Sequence, residues 1–316
     1  MTNDTKLNRF IALRAAMKKE ISWWAGNYFR DAATLRALEL EGEPEEIISR
    51  LRDPAKILKK NNSGLPILQK ESRYHLSAEV LLNDRDPQTF TAAMKAGKSD
   101  WKKARLKKDS NCMGAALAVM LLSDKASIDS HDLQALKEAY DRLAKNHRWS
   151  IRPNILPLLA FAMQVNPDAA DFADSIIPKM RAAPNLGKIL VMQEAIAASM
   201  TGLSADEVVA RMSAIVHALK ERKFDRSVPD MPTVALATAL DVSPEDLAAE
   251  VMQAVPMLES GFFNKWEHHH TALQLVIADH FSRMDNQLSA IAPFTLAMIT
   301  YLGATAGGDG DGGGGG

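Results

Sequence analysis

The chain has 316 residues, of which 47% are hydrophobic and 24% are charged. This length allows one large domain or two smaller ones, and the composition is typical of a globular protein rather than a disordered one. Lys and Arg total 38 against 39 Asp and Glu, so the net charge of −1 excludes a basic nucleic-acid coat and an acidic buffer protein, although local charged patches are allowed.

The two ends of the chain bear on its location. Residues 1–20 predict a charged amphipathic helix rather than a signal peptide, because no long apolar segment with a cleavage site follows. The single cysteine, Cys112, excludes an internal disulfide framework and suits a reducing compartment, so we expect a cytoplasmic protein. Residues 288–306 contain no charge and approach the length of a membrane span, but Pro293 and the lack of flanking basic residues favour a core helix. We therefore expect no membrane partner, with a membrane segment as the alternative.

Helix signals occur along the whole chain, whereas alternating strand patterns are scarce, so we predict an all-α fold. Three helix starts place a capping side chain before a proline at the first helical position. These pairs are Asp86-Pro87, Asn166-Pro167 and Ser243-Pro244.

Two segments show amphipathic helices clearly. Residues 130–146 place apolar side chains on one stripe, with Ser130 as the predicted N-cap. Residues 203–223 do the same, and Ser204 with Glu207 predicts a capping box.

Apolar, alanine-rich helix centres recur along the chain, and each follows an amphipathic helix. Their successive spacings are 38, 43, 36, 40 and 38 residues. A helical hairpin of about 35–45 residues cannot bury its apolar face alone, so neighbouring hairpins stack. The sequence thus predicts an α-solenoid of helical hairpins over residues 71–303, with a closed helical bundle as the alternative fold. An N-terminal helical cap over 1–70 precedes it, and a disordered glycine-rich tail over 304–316 follows it. The centres are Ala78, Ala116, Leu159, Ala195, Ala235 and Leu273.

A turn-and-helix pattern recurs with this spacing. Its form is (K/R)-x-(F/W)-x-x-(R/S)-x-x-x-x-P-x-x-A, and residues 222–237, RKFDRSVPDMPTVALA, are one copy. Over about residues 71–285 this pattern resembles an uncharacterised bacterial helical family, the DUF4003-type domain of unknown function. The resemblance implies a fold of helical pairs, and it implies neither an activity nor site residues.

Three motifs suggest chemistry that their surroundings do not support. Residues 92–99 end in Gly-Lys-Ser like a phosphate loop, but no buried strand precedes them, so we expect an exposed helix end. If His268, His269 and His270 are helical, they cannot converge on one metal ion, since successive helical residues point about 100° apart. We expect a polar turn here. A loop-borne metal site is the alternative. Cys112 follows two lysines near a predicted helix start, which would activate a thiol, but a small buried hydrophobe is the expected role.

Basic residues gather at the turns between predicted hairpins, together with the aromatic residues Trp101, Trp149 and Phe224. Aligned along one edge of a stack, these turns could bind phosphates and bases. The alternative, which we favour, is that the cations complement helix C-termini and the aromatic residues fill the core. The candidate basic edge consists of Lys102, Lys103, Arg105, Lys107, Lys108, Arg148, Arg152, Lys223 and Arg226.

The sequence presents no coherent catalytic, cofactor-binding or metal-binding set, so we expect a binding protein rather than an enzyme. The favoured function is a helical-repeat scaffold whose partner is another protein. The alternative is a nucleic-acid-binding helical-repeat protein or enzyme that uses the basic edge. Small-molecule ligands and the oligomeric state stay open.

Overall fold

All regular secondary structure in the described part of the chain is helical, which confirms the all-α prediction. No described helix is both long and apolar enough to cross a membrane, and residues 288–306 lie outside the described ranges. The computed structural model describes residues 3–21, 27–61, 65–69, 72–106, 109–122, 127–148, 151–186, 191–224, 231–258 and 265–284.

The described residues divide into two compact units. The N-terminal unit contains residues 8–137, and the C-terminal unit contains residues 138–284 together with residues 3–7. The predicted boundary at residue 70 lies within the N-terminal unit, and the predicted tail lies outside the described residues.

In the N-terminal unit, α5 packs against α2, α3 and α7, and α6 packs against α3 and α7. Glycine allows α6 to approach α7 closely, because a Cβ at Gly97 of α6 would lie 2.9 Å from Cδ2 of Leu117 on α7. The helices that begin up to residue 137 are α1 (Asn3–Met17), α2 (Asn27–Ala37), α3 (Pro44–Lys60), α4 (Pro66–Gln69), α5 (Arg73–Leu82), α6 (Pro87–Lys103), α7 (Ser110–Leu122) and α8 (Ser130–Asn146).

In the C-terminal unit, α9, α11, α13 and α15 contact one another in succession, and α10, α12 and α14 form a second succession. The two successions are joined by contacts of α10 with α11, α12 with α13 and α14 with α15. After a short 3-10 turn at Pro153–Ile155, the helices of this unit are α9 (Leu156–Val165), α10 (Ala169–Ala182), α11 (Val191–Ala198), α12 (Ala205–Glu221), α13 (Met231–Ala237), α14 (Pro244–Leu258) and α15 (Lys265–Ser282).

The six predicted helix centres each lie in a separate helix, from α5 to α15 at every second position, and all six side chains are fully buried. The helices between them bury one stripe; α12, for example, buries Val208, Met212, Ile215 and Leu219 while its other face stays exposed. From α5 to α15, apolar helices therefore alternate with amphipathic helices, since a helix buried on all sides must be apolar all round and a half-buried one on a single face.

Polar side chains also connect the amphipathic helices of the C-terminal unit to the next part of the chain. Nε2 of His147, which follows α8, lies 2.6 Å from Oδ1 of Asp174 on α10. Nζ of Lys179 donates to Oδ1 of Asp206 at 2.7 Å, which joins α10 to α12. Each bond spans 27 positions in sequence, so residues at a fixed separation are brought together along this unit.

The predicted caps are confirmed at three helices. The carboxylate of Asp86 accepts a hydrogen bond from the backbone N–H of Thr89 at 2.7 Å, and the Ser243 hydroxyl accepts one from Asp246 at 3.0 Å. Ser204 and Glu207 form the complete capping box at the start of α12. These bonds satisfy backbone N–H groups that have no partner within the first helical turn.

Two predicted helix starts are wrong by one or two residues. At α8 the cap is Asp129 rather than Ser130, because Oδ1 of Asp129 accepts from the backbone N–H of Asp132 at 2.8 Å. At α10 the helix begins at Ala169, two residues after Pro167. Asn166 instead accepts from the backbone N–H of Asp168 at 3.0 Å and donates to the Ser199 carbonyl at 2.9 Å, so it holds the turn that precedes α10.

Candidate functional site

A cleft in the C-terminal unit lies between α14, α15 and the first turns of α1. The cleft encloses about 70 Å³ and is partly open to solvent. Its lining combines charged or polar residues with apolar ones, which is the composition expected of a binding site. The lining residues are Lys6, Leu7, Glu250, Gln253, Ala254, Met257, Leu275, Val276 and Asp279.

Helical spacing places the lining residues of α14 on one stripe. Relative to Glu250, the residues Gln253, Ala254 and Met257 lie three, four and seven positions further along, so their side chains lie along the same face of the helix. Seven residues at a 1.5 Å rise give this stripe a length of about 10 Å. The cleft is therefore a short groove that follows α14 for two turns.

One end of the groove is polar. Nε2 of His280 lies 2.9 Å from Oε2 of Glu250, which joins α15 to α14 and places Glu250 near Asp279, one residue before His280. The carboxylate of Asp279 also pairs with the guanidinium of Arg283. Nζ of Lys6 donates to the carbonyl of Ala278 at 3.5 Å, which attaches the start of α1 to this end of α15.

The rest of the groove is apolar. Leu7, Ala254, Leu275 and Val276 are each less than a tenth exposed, and they form the floor. Met257 is half-buried and lies seven residues beyond Glu250 on α14, at the opposite end of the stripe. The groove thus has carboxylates at one end and a flexible thioether at the other, over a buried aliphatic floor.

A second polar cluster lies inside the N-terminal unit, between α2 and α5. Oε1 of Glu79 pairs with Nε of Arg36 and lies 3.4 Å from Nε2 of His75, and the side chain of Glu79 is 1% exposed. Burial raises the pKa of Glu79, but the charge of Arg36 and the hydrogen bond of His75 outweigh it, so this pKa lies below its ordinary value. Because both Glu79 and His75 are shielded from solvent, the cluster is placed to join the helices rather than to meet a substrate.

A related network joins the turn after α1 to α3 and α5. The carboxylate of Glu20 accepts hydrogen bonds from Nη2 of Arg52 and from the hydroxyl of Tyr74, both at 2.8 Å. Burial raises the pKa of Glu20, yet the hydrogen bonds from these two donors outweigh burial and lower it. Burial and the bond to Glu20 raise the pKa of Tyr74. Hydrogen bonding in this network therefore keeps Glu20 charged and Tyr74 protonated.

The structure corrects two of the motif predictions. The Gly97-Lys98-Ser99 motif lies inside α6 and not at an exposed helix end, and Gly97 is buried against α7. His268 to His270 lie in α15 and not in a polar turn; His268 and His269 are buried, and the ring of His269 packs edge-on against Phe224 with centroids 4.9 Å apart. Their helical position excludes the loop-borne arrangement in which all three imidazoles would face one ion.

Cys112 is 4% exposed in the first turn of α7, and its backbone N–H donates to the carboxylate of Asp109 at 2.9 Å. This burial fits the expected role as a small core residue.

At the start of α8, Asp129, His131 and Asp132 bring their ligand atoms within 4.8 Å of one another. The bond from Asp132 to Asp129 accounts for that cluster as a helix cap.

The candidate basic edge falls in both units. Lys102, Lys103 and Arg105 are exposed at the end of α6, and Nζ of Lys103 donates to Asp100 at 2.8 Å. Arg148, Arg152 and Lys223 are exposed in the C-terminal unit, whereas Lys107, Lys108 and Arg226 lie outside the described residues.

The aromatic residues beside this edge are not on the surface where the structure describes them. Trp101 is 1% exposed and Phe224 is 3% exposed, so neither ring is available to stack on a base. Trp149 lies outside the described residues. The burial of these two rings agrees with the core role that the sequence favoured for them.

The basic turns have a local structural explanation. Arg105 and Lys223 have φ values of 56° and 61°, in the left-handed region. At the end of α12, the N–H of Phe224 donates to the Leu219 carbonyl and the N–H of Lys223 to that of Lys220, both at 3.0 Å. This is a Schellman motif, in which a basic residue occupies the left-handed position next to the negative end of the helix dipole.

Comparisons with known proteins do not assign the chain to a family: no family model, no curated protein and no solved structure matches it. The resemblance to the DUF4003-type family therefore stays a prediction.

The groove residues and the Arg36–His75–Glu79 cluster were not among the sequence candidates. A glutamate within the apolar segment LSAEVLL was the available signal for the second of these.

Proposed function

We propose that the C-terminal unit is a stack of helical hairpins that binds a segment of a partner protein in the groove beside α14 and α15. The groove carries this proposal, because it is concave, has an apolar floor and has charged groups at one end. The chain as a whole would then be a helical-repeat scaffold, and we propose the cytoplasm as its location because Cys112 is the single cysteine of the sequence.

The arrangement of helices supports a stack. Each apolar helix from α9 to α15 contacts the next apolar one, and each amphipathic helix from α10 to α14 contacts the next amphipathic one. In repeat proteins each hairpin contacts its neighbours in this manner, and the resulting surface is the usual binding face. The bonds from His147 to Asp174 and from Lys179 to Asp206 would stabilise such a stack.

The size of the groove favours a protein segment over a cofactor. Sites that enclose a cofactor or a drug-sized ligand usually occupy about 300–1,000 Å³. The groove encloses about 70 Å³, which is well below that range. A single anchoring side chain in a small pocket is a common feature of protein recognition.

The alternative of nucleic-acid binding through the basic turns has less support. Trp101 and Phe224 are buried, and the ends of α6 and α12 use their cations at helix C-termini. The net charge of −1 also provides little long-range attraction for a polyanion.

Binding of the purified full chain to an array of random short peptides, and to labelled random-sequence RNA and duplex DNA, tests the proposal. We expect selective retention by a class of related peptides and negligible retention of either nucleic acid at moderate salt. Steeply salt-dependent nucleic-acid binding that is lost when Lys102 and Lys103 are changed to Glu would replace this function with the alternative. An array without any selected peptide class would refute protein-segment binding.

A further inference from the structure

We draw no further inference here: the strongest candidate, the groove between α14, α15 and the first turns of α1, belongs to the site already described, and nothing in the described part of the structure shows what covers it.

Discussion

The buried pair of Arg36 and Glu79 gives a quantitative test of the N-terminal unit. The two side chains are 11% and 1% exposed, so Arg36→Met leaves a carboxylate with little access to water. Breaking a buried pair in this way costs about 3–5 kcal/mol of unfolding free energy at neutral pH. Changing both residues, to Met and Leu, should recover most of that loss because no uncompensated charge remains. Arg52→Met, which breaks the pair of Arg52 with Glu20 where the guanidinium is 49% exposed, is the control and should cost far less than Arg36→Met.

The cost of Arg36→Met should depend on pH with a defined sign. In the wild type the pKa of Glu79 is lowered below its ordinary value of 4.5, so its stabilising contribution is present above that pH and is lost as the pH falls through the folded-state pKa. In the variant the charge of Arg36, the largest of the influences that lower this pKa, is lost while burial and the hydrogen bond of His75 remain, so the pKa should rise relative to the wild type and protonation should relieve part of the destabilisation. Urea denaturation followed by circular dichroism at pH 7 and at pH 4 should give a smaller difference between the two proteins at pH 4. A cost below about 1 kcal/mol at pH 7, or an equal cost at both pH values, would refute the role assigned to this pair.

Three further predictions follow from local geometry. Lys223→Gly, at the end of α12, should raise the unfolding free energy by about 0.5–1 kcal/mol because glycine removes the strain of the left-handed backbone there. Lys220→Gly, inside α12, is the control and should lower the unfolding free energy by about 1 kcal/mol. Urea denaturation measures both changes. The raised pKa of Tyr74 means that the folded state holds its proton more strongly, so the unfolding free energy should fall as the pH rises above 10.0, and Tyr74→Phe should remove that part of the dependence in a pH series. Ser204→Ala should cost about 1 kcal/mol in thermal denaturation, since it removes the cap of α12, and an unchanged melting temperature would contradict the capping role.

Local sequence patterns predicted the helices well. Residues 203–223 carry a capping box and an apolar stripe, and α12 spans Ala205–Glu221 with that box intact. The failures at Ser130 and Asn166 are also local: an Asp one residue earlier competes for the cap of α8, and a side-chain turn delays α10. Helix existence depends on periodicity, whereas a helix boundary depends on which of several neighbouring polar groups captures the free N–H groups.

The environment of a polar residue was much harder to predict. His268 to His270 read as a polar turn because histidine is usually partly exposed, but the neighbouring turn brings Phe224 against the ring of His269. The groove was not predicted either, because residues that are far apart in the sequence line it. Its wall includes Lys6, whose contact at Ala278 is 272 positions away in sequence, and no local pattern can specify such a contact.

Helix termination explains the basic residues at the ends of α6 and α12. In a Schellman motif the residue after the left-handed position packs back on the last turn, and at α12 this residue is the buried Phe224, directly after Lys223. At α6 the buried Leu106 follows Arg105 in the same relation, and Trp101 lies in the last turn. The ends of α6 and α12 therefore share a cation in the left-handed position followed by a core side chain, whereas at the end of α5 Asp84 holds the left-handed position.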